Sequence, residues 1–230
     1  MRKQILAVMA GLSVVLSGCS SQSTESMLQE VKKDTKEIKS GKSTLVLSKI
    51  YENNNSLDNT VYEMSGDEKF DPLEFVRKGK YKKSYGNFEI EEYFKDGVYY
   101  SKTDGSWLKK KDPNVNDYAL SFKTDSLNMH DGILNLLDNK DNWDISKDGD
   151  KVTFKLKKTE ELMNKVKEIN NKELKKDIKY SEFEYTVEYV YNTKNKKLDK
   201  LFYEIVAATG SSPLRVTTRG TLEEPNKEIK

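Results

Sequence analysis

Hydrophobic and polar positions change period several times along this chain, and each change predicts an element. From Met27, the residues Met27, Leu28, Val31, Thr35 and Ile38 recur at helical spacing among Lys, Glu, Asp and Gln. This spacing predicts an amphipathic helix, with Gly41 placed as its C-terminal cap. A narrow apolar stripe opposite mixed charges suits a helix lying on a sheet; a membrane-surface helix is the alternative. After Gly41 the period becomes two. Thr44 to Tyr51 reads as a strand, Asn53-Asn54-Asn55 as a turn and Thr60 to Ser65 as the hairpin partner. Phe75 to Tyr85 is a charged strand, and Pro72 just before it suits a strand entry or an edge. Phe88, Ile90, Glu92 and Phe94 then alternate against Glu89, Glu91 and Tyr93. Asp96-Gly97 and Asp104-Gly105 turn the chain into Val98-Tyr99-Tyr100 and Trp107-Leu108-Lys109.

Residues 111–150 interrupt this meander with a polar stretch, after which Ile133-Leu134 and Leu136-Leu137 suit a short helix. Val152, Phe154 and Leu156 alternate as a strand. Thr159 can cap a helix that opens with Glu160 and Glu161 and whose apolar side is Leu162, Met163, Val166 and Ile169. The final third returns to strands. Phe183, Tyr185, Val187, Tyr189 and Tyr191 share one face. Leu201, Tyr203, Ile205 and Ala207 form a second set, and Leu214, Val216, Thr218 and Leu222 a third. The expected fold class is α+β, with one large antiparallel sheet and few helices to cover it.

The beginning of the chain has another logic. Met1-Arg2-Lys3 is positive, Ile5 to Leu16 is almost wholly apolar, and the only cysteine, Cys19, follows two small residues. This is the layout of a secretory signal peptide, with an apolar core too short for a permanent span. Leu16-Ser17-Gly18-Cys19 also resembles the bacterial lipobox. That resemblance implies diacylglyceryl transfer to the Cys19 sulfur, cleavage before it, and anchoring on the extracytoplasmic face of the cell membrane. The expected organisation is therefore residues 1–18 as lipoprotein signal, 19–26 as lipidated cysteine and Ser-rich tether, and 27–230 as one domain. Loss of Arg2 and Lys3 with the signal cancels the formal net charge of +2, and a neutral balance argues against nucleic acid as a partner. Charged residues make up 34%, yet thirteen Tyr and eight Phe in alternating runs argue for a folded core and against disorder. The preference for Lys and Asn suggests, by association, a low-GC Gram-positive source.

Candidate chemistry is sparse. One histidine, His130, cannot build a histidine metal cluster, and no nucleophile elbow or phosphate-cradling glycine loop occurs. Glu91-Glu92 and Glu160-Glu161 are adjacent carboxylates whose side chains diverge on a strand or a helix, so they read as surface charge. Asp144, Ser146, Asp148 and Gly149 match half of a calcium loop, but its closing position is Lys155; a hairpin turn at Asp148-Gly149 is expected instead. No metal, cofactor or catalytic residue is expected.

The lipobox, the Ser-rich tether and the amphipathic helix precede a meander carrying Tyr93-Phe94-Lys95-Asp96-Gly97-Val98-Tyr99-Tyr100 and Gly105-Ser106-Trp107-Leu108-Lys109. With a helical middle and long closing strands, this order resembles the LolA/LolB and LprG/LppX group of half-barrel lipoproteins, particularly its small Gram-positive members. The resemblance implies a curved antiparallel sheet, a half β-barrel, with a few helices covering its concave face around an apolar cavity. It also implies a monomer that binds a lipid or acyl chain without catalysis. On this reading Phe88, Ile90 and Phe94 face Tyr189, Tyr203 and Ile205 across the cavity, with Leu162 and Val166 covering the gap. The alternative is a cell-envelope interaction module that binds a protein or wall polymer and has a filled interior.

Overall fold

The computed structural model describes residues 22–51, 59–110, 129–210 and 214–228. The signal segment, Cys19 and the Asn53-Asn54-Asn55 turn lie outside the described residues. Helix α1 (Thr24–Lys36) begins within the stretch read as tether, because Ser23 Oγ accepts the Ser26 N–H at 3.2 Å and caps it. It buries Met27, Leu28, Val31, Asp34 and Thr35. Gly41 is not its cap. The helix ends at Lys36, where the Glu37 N–H reaches the carbonyls of Lys33 and Asp34. The sheet takes the chain soon afterwards: the Lys39 carbonyl accepts the Phe70 N–H at 2.8 Å. Gly41 thus lies inside a strand, where a Cβ would stand 2.7 Å from Leu222 Cδ1.

Strands β1 (Ser40–Tyr51), β2 (Thr60–Phe70), β3 (Leu73–Lys83), β4 (Gly86–Lys95), β5 (Val98–Thr103) and β6 (Ser106–Lys110) form the expected meander. Asp96-Gly97 and Asp104-Gly105 close two of its hairpins with positive φ at both residues, the geometry of a tight two-residue turn. A helical turn at 129–133 runs into 3₁₀ turns at Leu134–Asp138 and Lys140–Asn142. Then follow β7 (Trp143–Asp148), β8 (Lys151–Leu156), α2 (Glu160–Leu174), β9 (Tyr180–Asn192), β10 (Lys197–Thr209) and β11 (Leu214–Glu223). Thr159 Oγ1 accepts the Leu162 N–H at 3.2 Å, so α2 starts at its expected cap. Strand β7 has no apolar alternation to announce it; Trp143 is its one buried residue.

All eleven strands form one antiparallel sheet in the order β6-β5-β4-β3-β2-β1-β11-β10-β9-β8-β7. Each run of consecutive strands is a meander, and the β1–β11 ladder joins the two. Edges β6 and β7 do not pair, so the sheet is a curved half-barrel with helices on its concave face. Directly opposed residues share a face, and the register defines inner rows across the sheet. One row runs Val187, Tyr203, Gly220, Leu45, Met64, Gly79, Ile90. The next runs Tyr185, Ile205, Thr218, Leu47, Tyr62, Tyr81, Phe88.

The helices pack on β9 and β10, so the main core sits there. Val31, Ile133, Phe154, Val166, Val187, Tyr189, Tyr191 and Leu201 are wholly buried. Each such aliphatic or aromatic side chain contributes roughly 1.5–3 kcal/mol. The β2–β5 region holds a small cluster in which Phe75 and Phe94 stack with centroids 5.6 Å apart.

Candidate functional site: an apolar cavity between the sheet and the second helix

A cavity of about 410 Å³ opens between the middle of the sheet and the C-terminal turn of α2, a size in the range of small-molecule sites. Its sheet wall comes from Leu45 and Leu47 of β1, Val216 and Thr218 of β11, and Tyr203, Ile205 and Ala207 of β10. Its opposite wall is Asn170, Glu173 and Leu174 of α2 with Ile178 and Tyr180 beyond it, and Met129 also contributes. The space arises because small side chains occupy the inner face here. Thr218 and Ala207 present small side chains to the cavity, while the bare backbone of Gly220 is covered by the Tyr203 ring. The helix stops at Leu174: Lys175 takes a left-handed conformation (φ 51°), and the Lys176 N–H returns to the Asn171 carbonyl at 3.0 Å. Asn170 Nδ2 donates to Tyr180 Oη at 2.7 Å and that hydroxyl donates to Asn171 Oδ1, fixing the turn across the opening.

Thr209 and Leu214 line the cavity where β10 hands over to β11, which places the mouth at that end of the sheet. The described N-terminus lies at the other end. Tyr191 Oη, next to the last residue of β9, donates to Gln22 Oε1 at 3.0 Å. A thirteen-residue strand such as β10 separates the two ends by about 40 Å.

The eight residues proposed from sequence all lie on the concave side, in different settings. Tyr203 and Ile205 line the cavity. Tyr189 is buried one strand further on. Leu162 and Val166 are buried in the main core one to three turns before the part of α2 that reaches the cavity. Ile90 and Phe88 are half-buried on β4, at the far ends of the inner rows that contain Leu45 and Leu47, and Phe94 stacks on Phe75. Leu45, Leu47, Val216, Thr218 and Leu174 are among the wall residues that sequence reasoning did not select. Their alternation was visible, but the adjacency of β1 and β11 was not.

The inner face of the β1–β5 region also carries buried polar groups. Glu68, wholly buried, accepts from Ser43 Oγ and from Arg77 Nε at 2.5 Å. Glu92 is not surface charge, as the sequence had suggested. It lies on the same face as Ile90 and Phe94 and accepts from Tyr62 Oη at 2.9 Å and Tyr99 Oη at 2.8 Å. Burial, and then the Glu92 charge, push the Tyr62 hydroxyl well above the usual tyrosine range. Its neighbour Glu91 remains at the surface near Lys78 and Lys102. His130 is buried against the rings of Tyr189 and Tyr203, with Nδ1 3.1 Å from Tyr189 Oη. Desolvation pushes its pKa down to about 3, so it is neutral at physiological pH. Asp144 and Asp148 are both exposed on β7, and Gly149 (φ 56°) turns the chain from there into β8. Among the described residues no group of three or more His, Cys, Asp or Glu could hold a metal ion. No described helix is long and apolar enough to cross a membrane.

A family model described as "Family of unknown function (DUF6612)" matches residues 23–206. The chain belongs to this family. The DUF6612 match covers α1 through most of β10 and ends before β11, whose Leu214, Val216 and Thr218 complete the cavity wall. No curated protein matches the chain. Among solved structures it is similar to LprF from Mycobacterium bovis, at 15% identity over 93% of this chain and 97% of that one, with a TM-score of 0.46. It is also similar to the lipoprotein LppX of Mycobacterium tuberculosis, at 12% identity over 92% and 99%, with a TM-score of 0.41. A DUF1329 family protein from Desulfovibrio piger aligns over 90% and 96% at 8% identity, with a TM-score of 0.30.

Proposed function

We propose that this protein is a lipid-anchored extracytoplasmic binder that holds an apolar or amphiphilic chain in the cavity between α2 and the sheet, without catalysis. The observation that carries the reading is the cavity, with its predominantly aliphatic wall and its mouth at one end of the half-barrel. Binding there would remove apolar ligand surface from water, at about 25 cal/mol per Å² before the costs of association. The Tyr203 ring occupies part of the space, which favours one chain over several. With an anchor at Cys19, the mouth would stand at the end of the domain away from the attachment point.

The chain from residue 20 onward, produced without lipid, retains every described residue and should take up a fluorescent fatty-acid probe with saturable affinity. Ile205→Trp should reduce that uptake while leaving the unfolding temperature within a few degrees. Absence of uptake by the folded protein would remove the reading. A second reading, the envelope interaction module, is favoured by edge strand β6, where Trp107 is 54% and Leu108 66% exposed. An unpaired edge can add a strand from a partner. Capture of a protein or wall polymer without probe uptake would support it.

A further inference from the structure

The inner face of β1 reads Ser43, Leu45, Leu47 and then Lys49. Leu45 and Leu47 are cavity wall, and Lys49 stands directly across the ladder from Val216, another wall residue. The row that contains Lys49 runs through Val216, Ala207 and Phe183 on one side and through Thr60 and Lys83 on the other, so Lys49 stands where an apolar strip beside the cavity wall gives way to polar and positive residues. Lys49 is exposed, and among the described residues it makes no ion pair or side-chain hydrogen bond. The other charges at this end are also mainly positive. Lys172, Lys175, Lys176 and Lys179 are exposed where the chain leaves α2, against Glu173 and Asp177. Glu173 lines the cavity on its helix side. Arg215 is held by Glu182 at 2.9 Å.

We infer that the cavity takes a single-chain amphiphile tail-first and keeps an anionic head group, a carboxylate or a phosphate, beside Lys49. This assignment rests on the cavity being a ligand site and specifies the ligand's charge and orientation. The tail loses contact with water against Leu45, Leu47, Val216 and Ile205. The head stays at the water boundary, so it avoids the cost of burying a charge while meeting an unengaged cation. A cationic head would instead meet the lysines of the rim. Free fatty acids and lysophospholipids share the required chemistry.

Calorimetric titration of the chain from residue 20 onward with dodecanoate, dodecanoyl lysophosphatidylglycerol, dodecanol and dodecylammonium tests this directly. At least one of the two anionic ligands should bind about five-fold tighter than dodecanol, the scale of a partly exposed charge contact, and dodecylammonium should bind weakest. Whichever anion binds identifies the head-group source. The advantage should fall in 1 M salt and be lost in Lys49→Gln, while dodecanol affinity stays unchanged in that variant and reports an intact cavity. Equal affinity for all four ligands, or an anion preference that survives Lys49→Gln, would overturn the assignment and leave the cavity reading standing. Failure of every ligand to bind the folded protein would overturn the cavity reading itself.

Discussion

Tyr203 and Gly220 face one another across the β10–β11 ladder, and the tyrosine ring occupies the space that a side chain at 220 would need. A Cβ at Gly220 would lie 2.2 Å from Tyr203 Cε1. The ring is therefore laid over the glycine, in the manner of an aromatic shielding a bare stretch of strand, and from there it forms part of the cavity wall. Gly220→Val should displace the ring, lower stability by about 1–3 kcal/mol through overpacking, and change probe uptake. Urea denaturation and probe titration measure the two effects separately. Unaltered uptake in a destabilised variant would show that the ring does not shape the cavity.

The buried pair Glu68 and Arg77 makes a different demand. The carboxylate is fully enclosed and the guanidinium is 1% exposed, also lying 4.7 Å from the centre of the Phe75 ring. Arg77→Met should leave the Glu68 charge buried without its main partner and cost about 3–5 kcal/mol, whereas the double replacement Arg77→Met with Glu68→Leu should recover much of that loss. Equal losses in the single and double variants, measured by denaturant titration, would mean that packing and not charge governs this site.

His130 makes stability depend on pH in a defined direction. Its folded-state pKa is pushed down to about 3, below the ordinary value of 6.5, so the unfolded chain binds the extra proton between those limits. Its contribution is complete above the unfolded value and is lost as pH falls through that window. Lowering the pH from 7 to 5 should cost about 2 kcal/mol from this residue. Hydrogen bonds from their lysine partners hold the exposed carboxylates Glu25, Asp138, Glu161 and Glu224 below their ordinary values. Melting temperatures at pH 7 and 5 should therefore converge in His130→Phe; an unchanged pH slope would contradict a neutral buried imidazole.

Cys19 supplies the only sulfur able to carry a thioether-linked lipid. Cys19→Ser should move the protein from the membrane fraction to the medium or leave it unprocessed, as read by fractionation and intact mass. Normal processing and anchoring of that variant would exclude the lipoprotein assignment.

Elements governed by local physics were legible in the sequence. Asp96-Gly97 and Asp104-Gly105 are turns because both positions adopt positive φ, and α2 begins where the Thr159 hydroxyl accepts a backbone N–H. The shared face of Phe183, Tyr185, Val187, Tyr189 and Tyr191 follows from the period of two, and all five are buried. Other features needed long-range pairing. Gly41 became strand because β2 and β11 flank it, a relationship that no neighbouring residue encodes. Glu92 alternated with apolar residues in the sequence, but only the fold brings the hydroxyls of Tyr62 and Tyr99 to its carboxylate and makes its burial tolerable. Strand β7 exists through its ladder with β8, although Trp143 is its only buried side chain. The cavity depends most on tertiary structure. Its wall forms because β11 returns beside β1, bringing Val216 opposite Lys49 and Thr218 opposite Leu47, and because the small side chains of Ala207 and Thr218 share a cavity with Asn170 and Leu174 of α2, a gap that no alternation pattern can reveal.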